Sequence, residues 1–175
     1  MHKKVLSINQ AMDLIKNGST IATSGFRLSG AAELLIKSVS ERYQKTGAPN
    51  NLTVVYSSAQ GDSAKATGLE HLAQKGMLKR VIGGFWGAVP RLSSLALAGD
   101  FEAYNWPQGQ ICQLYSAIAC GAPGVVTKVG LKTYIDPRVD GGKLTSKGAN
   151  NLIDVVQLAG KEWLLYKSFP IDIAF

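Results

Sequence analysis

The chain has 175 residues, 46% of them apolar, with 19 Lys and Arg against 12 Asp and Glu, a formal net charge of +7. That length and composition exclude a disordered chain and suit one domain, taken as residues 1–175, with a real buried core. The basic residues are scattered and no basic run is interleaved with aromatics, so nucleic acid is not an expected partner, whereas a mildly basic surface suits carboxylate or phosphate-bearing ligands. No apolar run is long enough to span a membrane, and residues 1–20 contain none of signal-peptide type. Cys112 and Cys120 stand too far apart along one expected helix to pair there, which points to a reducing, cytoplasmic setting.

Ser7 and Gln10 have capping-box spacing, and Ile8, Ala11, Met12 and Ile15 form an apolar stripe, so a helix is expected from Ser7 to Gly18. Thr20–Thr23 reads as a short buried strand. A small-residue loop, 24–30, follows. Gly30 is expected as the N-cap of a helix running to about Gly47, with Glu33 in the first turn, where the helix dipole favours a carboxylate. Leu52–Tyr56 is the clearest strand, and Ser57–Ser63 a second small-residue loop. A helix is expected near 68–75, a strand at Leu78–Ile82, and a helix with Pro90 at its first position, ending at Gly99. Phe101–Tyr104 reads as a strand, broken by Asn105–Gly109 before a helix ending at Gly121. Residues 125–148 read as loops with short strands, and Val155–Leu158 and Trp163–Tyr166 as a hairpin around Gly160-Lys161. Ile171, Ile173 and Phe175 alternate with other residues, so the last residues read as a strand.

This alternation predicts an α/β fold: a largely parallel sheet with helices on both faces and a small C-terminal hairpin region. Strand-to-helix loops then share one edge, outside the carboxyl ends of the strands, where such sheets bind ligands. Four loops qualify: 24–30, 57–63, 83–89 and 105–109. They carry the candidate binding residues Ser24, Gly25, Phe26, Gly30, Gln60, Gly61, Asp62, Gly83, Gly84, Trp86, Gly87, Gln108 and Gly109.

Other chemistries are not written here. There is no G-x-G-x-x-G, P-loop, G-x-S-x-G or metal-ligand spacing, and the only histidines are His2 and His71. Asp62 reads either as a turn residue or as an acid/base. Trp86 and Trp106 read either as core anchors or as pocket walls. Gln108 either caps the following helix or presents its amide to a ligand.

Asn17-Gly18, the apolar strand, Ser24-Gly25-Phe26 and Gly30 resemble the N-terminal signature of family I coenzyme A transferases. Ser24 replaces the first glycine of its Gly-Gly-Phe, and Ala32 replaces its proline. Gln60-Gly61-Asp62, Leu78 to Gly87, Glu102 to Gly109 and Val129 to Arg138 extend the likeness over nearly the whole chain, toward the fused acetate/propionate/3-oxoacid branch. The resemblance implies a sugar-phosphate-isomerase-like fold and transfer of CoA from a short-chain acyl-CoA to a free carboxylate, through a glutamyl-CoA thioester. Coenzyme A is then a substrate, and no cofactor or metal is expected.

The family's nucleophile lies in a Glu-x-Gly context in its second half. None of Glu33, Glu41, Glu70, Glu102 or Glu162 has glycine two residues on, and Val81 stands where the leading glycine of the family's oxyanion loop would be. The resemblance therefore implies no catalytic residue in this chain. It implies pocket walls that work with a C-terminal half, a homo-oligomeric enzyme, and an inactive isolated chain. A stand-alone isomerase-like enzyme using Asp62, and a non-catalytic binding module, are the alternatives.

Overall fold

The computed structural model describes residues 4–62, 65–148 and 151–175; Ser63, in the second loop, lies outside them. Helix α1 (Ile8–Met12) opens with the expected box: Gln10 N–H donates to Ser7 Oγ and Ser7 N–H to Gln10 Oε1. It is shorter than the stripe suggests, because Ser19 Oγ takes the Lys16 amide at 3.0 Å and Gly18 N–H donates to Asn50 O, so the chain turns away while Ile15 still enters the core. Strand β1 (Thr20–Thr23) follows, then α2 (Glu33–Thr46), which ends at a left-handed Gly47 whose N–H returns to Tyr43 O. Its N-cap is Ala32, not Gly30; Gly30 is spent closing the loop onto Gly25.

Strand β2 (Leu52–Tyr56) leads to a 3₁₀ turn, Gly68–Leu72, in place of the expected α-helix. The tighter spacing stacks Leu69 and Leu72 on the core. It also leaves Glu70 buried, with its carboxylate accepting from Arg91 N–H (3.1 Å) and Leu92 N–H (3.3 Å). Those are orphan donors of α3 (Pro90–Leu97), which follows β3 (Leu78–Gly83) and starts on proline as expected. After β4 (Glu102–Asn105), α4 (Gln108–Ala119) begins directly at Gln108. The remaining strands are β5 (Gly124–Thr127), the hairpin β6 (Ile153–Leu158) and β7 (Lys161–Lys167), and β8 (Ile173–Ala174).

The main sheet has the order β4-β3-β2-β1-β8 and every pairing in it is parallel. Side chains alternate between its faces. Ile21, Val54, Val81 and Ala103 pack with residues of α1, α2, the 3₁₀ turn and α3. Val55, Ile82 and Tyr104 pack with Ile111 and Leu114 of α4 and with Leu164 and Tyr166 of the antiparallel sheet β5-β7-β6. Helices therefore cover both faces, as the sequence predicts.

The 128–142 loop hangs on Asp136. Its buried carboxylate accepts from Arg138 Nε (2.9 Å) and Nη2 (2.8 Å) and from the Lys132 and Arg138 amides. The Arg138 side-chain hydrogen bond, and then these amides, hold its pKa well below the usual carboxylate range against the opposing effect of burial. A depressed carboxylate contributes stability above its unfolded pKa, about 4, and loses it as pH falls through the folded value. Asp136→Asn should therefore melt below the parent at pH 7, and the gap should close as pH is lowered from about 4. Thermal melts of both proteins across that range test this; a gap independent of pH contradicts it.

Candidate functional site

At the carboxyl edge of the parallel sheet, the four loops meet in a cleft of about 320 Å³ lined by Phe26, Arg27, Ser58, Ala59, Gly84, Phe85 and Gln108. Among the described residues, four larger grooves lie elsewhere: about 400 Å³ between α1 and α2, about 460 Å³ toward the amino ends of β1–β3, about 400 Å³ beside residues 14–19 and Asp172, and about 490 Å³ along residues 140–146.

In the first loop, Phe26 and Ser29 exchange two backbone hydrogen bonds of 3.0 Å across the pair Arg27-Leu28. Arg27 has φ +52° and its N–H donates to Ala59 O. A two-residue turn with positive φ only at its first centre favours glycine there, and a larger residue carries roughly 1 kcal/mol of strain. The loop is footed by Ser24, whose N–H and Oγ both donate to Phe175 O, at 3.1 and 3.0 Å. Gly25 has φ +116°, and a Cβ on it would stand 2.8 Å from the Ala31 nitrogen.

In the second loop Gln60 is fully buried. Its amide closes on Thr23: Thr23 Oγ1 donates to Oε1 at 2.6 Å, and Nε2 donates to Thr23 O at 3.0 Å. The Gln60 carbonyl accepts from Leu69 N–H. Gly61 lies so near α3's entry that a Cβ would stand 2.7 Å from Ala88 O. Asp62 is bridged to Lys65 and does not line the cleft.

The third loop depends on two glycines. A Cβ on Gly83 would overlap the Tyr56 ring, and one on Gly84 the Ser57 carbonyl. Tyr56 OH donates to Phe85 O at 3.1 Å; burial pushes this phenol's pKa far up, so it stays a donor. Trp86 turns inward, edge-on to Tyr56, and its indole N–H donates to Tyr104 O at 3.1 Å. Phe85 turns outward over Gly87 and remains 51% exposed. Trp86 and Trp106 are thus core anchors. Gln108 is exposed at the start of α4, and no side-chain hydrogen bond caps that helix; Gly109, beside it, has open space where a Cβ would be.

Of the candidates read from the sequence, Phe26, Gly84 and Gln108 line the cleft. Gly25, Gly30, Gly61, Gly83 and Gly87 shape its loops, while Ser24, Gln60 and Trp86 are engaged in holding them. Phe85, Ser58, Ala59 and Arg27 were not singled out. The available signal for Arg27 was that it is the one charged side chain between Ser24 and Gly30.

The Gln60–Thr23 clamp gives a test. Gln60→Leu should orphan the buried Thr23 hydroxyl and destabilise the fold by about 1–3 kcal/mol. Adding Thr23→Val should recover part of that loss, since removing both partners is far milder than removing one. Urea denaturation of the two single variants and the double variant measures this; simple additivity contradicts it.

The family model "Coenzyme A transferase" matches residues 5–175, and the chain belongs to that family. Acetate CoA-transferase YdiF of Escherichia coli K12 is 37% identical over 174 residues, covering 98% of this chain and 32% of YdiF. Caffeate CoA-transferase of Acetobacterium woodii is 34% identical over 171 residues, with 98% and 32% covered. The crystal structure of the acyl-CoA transferase YdiF from E. coli O157:H7, a thioester complex with CoA, superposes with a TM-score of 0.88 at 36% identity, over 97% of this chain and 33% of that one. The chain spans about a third of the length of these relatives.

Proposed function

We propose that this chain forms the wall of the acid-binding pocket in an enzyme that moves CoA from a short-chain acyl-CoA to a free carboxylate, such as acetate. The nucleophile is a glutamate outside these 175 residues, which becomes a glutamyl-CoA thioester. One observation carries the reading: in a chain of this family, the cleft at the sheet's carboxyl edge offers donors and apolar walls but no carboxylate.

All five glutamates are placed elsewhere. Glu33 binds Gly68 N–H (2.7 Å) and His71 Nε2 (2.6 Å), and Glu70 caps α3. Glu102 pairs with Arg80 and Glu162 with Arg138, while Glu41 lies on exposed α2 surface near Lys37. The missing carboxylate would come from a further catalytic segment meeting this edge, in a homo-oligomeric enzyme. The exposed free thiols of Cys112 and Cys120 suit a cytoplasmic location. Nothing in the cleft favours isomerase chemistry, since no acid lines it.

Gln108 is the neutral donor in the cleft. Its amide can reach a carboxylate or thioester oxygen without adding charge. In the enzyme assembled with its catalytic segment, incubation with acetyl-CoA should give a CoA adduct on a glutamate outside this chain. Gln108→Ala should lower kcat/KM ten- to a hundredfold, about 1.4–2.7 kcal/mol of transition-state stabilisation, with little change in melting temperature. Mass spectrometry and steady-state kinetics with propionate as acceptor check both. A stoichiometric adduct on any of Glu33, Glu41, Glu70, Glu102 or Glu162, or an active enzyme indifferent to Gln108, would overturn the reading.

A further inference from the structure

We propose that Arg27 is the residue that recognises the carboxylate of the organic acid acceptor, a role that rests on the CoA-transfer reading above. Among the described residues, Arg27 is the one ionisable side chain lining the cleft. Like Arg91, it makes no side-chain hydrogen bond or ion pair with the other described residues, whereas Arg42, Arg80 and Arg138 pair with carboxylates; Arg91 lies outside the cleft lining. Arg27 is exposed at the cleft, its charge is open to a ligand, and its planar fork fits the two oxygens of a carboxylate.

The backbone gives a second, independent sign. Arg27 sits at φ +52° in a turn position that favours glycine, held by the Phe26–Ser29 bridge and the bond to Ala59 O. A long side chain kept where glycine is the least strained choice, and lining this cleft as Asn51, Lys132 and Ala159 at similar φ do not, is the kind of outlier that points to use of the side chain. The walls beside it agree. Phe26 is 62% and Phe85 51% exposed, two aromatic rings left out of the core that line the same cleft as Arg27. Two rings and one cation in a single cleft suit an acid with an apolar body and a single anionic head. The phosphates of coenzyme A would call for more than one cation, and the lining holds only Arg27.

The test compares Arg27→Gly and Arg27→Lys with the parent in the assembled enzyme. Arg27→Gly should leave the melting temperature unchanged or raised, because the turn's strain is relieved. It should raise KM for propionate at least tenfold and move KM for acetyl-CoA less than threefold. Arg27→Lys, which keeps the charge but loses the fork, should fall between. Propionate, but not propionamide, should raise the parent's melting temperature, and Arg27→Gly should abolish that shift. A parent that transfers CoA while Arg27→Gly keeps its KM for propionate overturns the assignment. So does a rise in KM confined to acetyl-CoA and absent with its 3′-dephospho analogue. If the parent transfers no CoA, the transferase reading fails instead, and the propionate shift still decides whether Arg27 binds the carboxylate.

Discussion

At the carboxyl ends of β2 and β3 the chain leaves no room for side chains at two successive positions, Gly83 and Gly84. The Tyr56 ring and the Ser57 carbonyl occupy the space where Cβ atoms of Gly83 and Gly84 would be. Gly84 N–H also donates to Tyr56 O, and Trp106 N–H to Gly83 O, so β2, β3 and β4 are tied together at that point. Much of the site depends on this closeness. It brings Tyr56 OH to Phe85 O, which sends Phe85 out and Trp86 in, and it brings the start of α4 with Gln108 up against Gly84. Alanine at either glycine would push the edge apart, and the cleft floor with it.

Acidic groups are used for architecture. The buried Glu70 satisfies α3's first donors from a different segment, Glu33 pins the 3₁₀ turn, and Asp136 organises the loop beside the antiparallel sheet. Each carboxylate is held by several donors, which suits fixed posts and not a nucleophile that must move. The cleft is left with one cation, one neutral amide and two rings. Such a lining would suit an acid under the proposed reading, and it contains no carboxylate to act as the attacking group.

Much of the fold was legible because its signals are local. The Ser7/Gln10 box, Gly47 after α2, Pro90 opening α3 and the β-branched Leu52–Tyr56 each act within a few residues. Where the sequence reading went astray, the deciding partner was distant or its bond left no periodic trace. Ser19 Oγ ended α1 early, Gly30 served the loop and not the helix, and Glu70's reach to Arg91 and Leu92 set the 3₁₀ turn. The edge of the sheet, and so the location of the cleft, followed from strand-helix alternation alone. The roles within it did not. Gln60 looks like a polar loop residue until Thr23, 37 positions away, is seen to consume its amide. Arg27's backbone strain is invisible without coordinates.

The account's central claim is that ligands enter at the carboxyl edge of the parallel sheet and not at the larger grooves. Titrating the ¹⁵N-labelled protein with propionate and following backbone amide chemical shifts tests it most directly. The account predicts that the amides of Phe26, Arg27, Ser58, Gly84, Phe85 and Gln108 move together along one binding curve, while those of Asp13 and Arg42 in the α1–α2 groove stay still. Saturable shifts in that groove, with the carboxyl-edge amides unmoved, would contradict it.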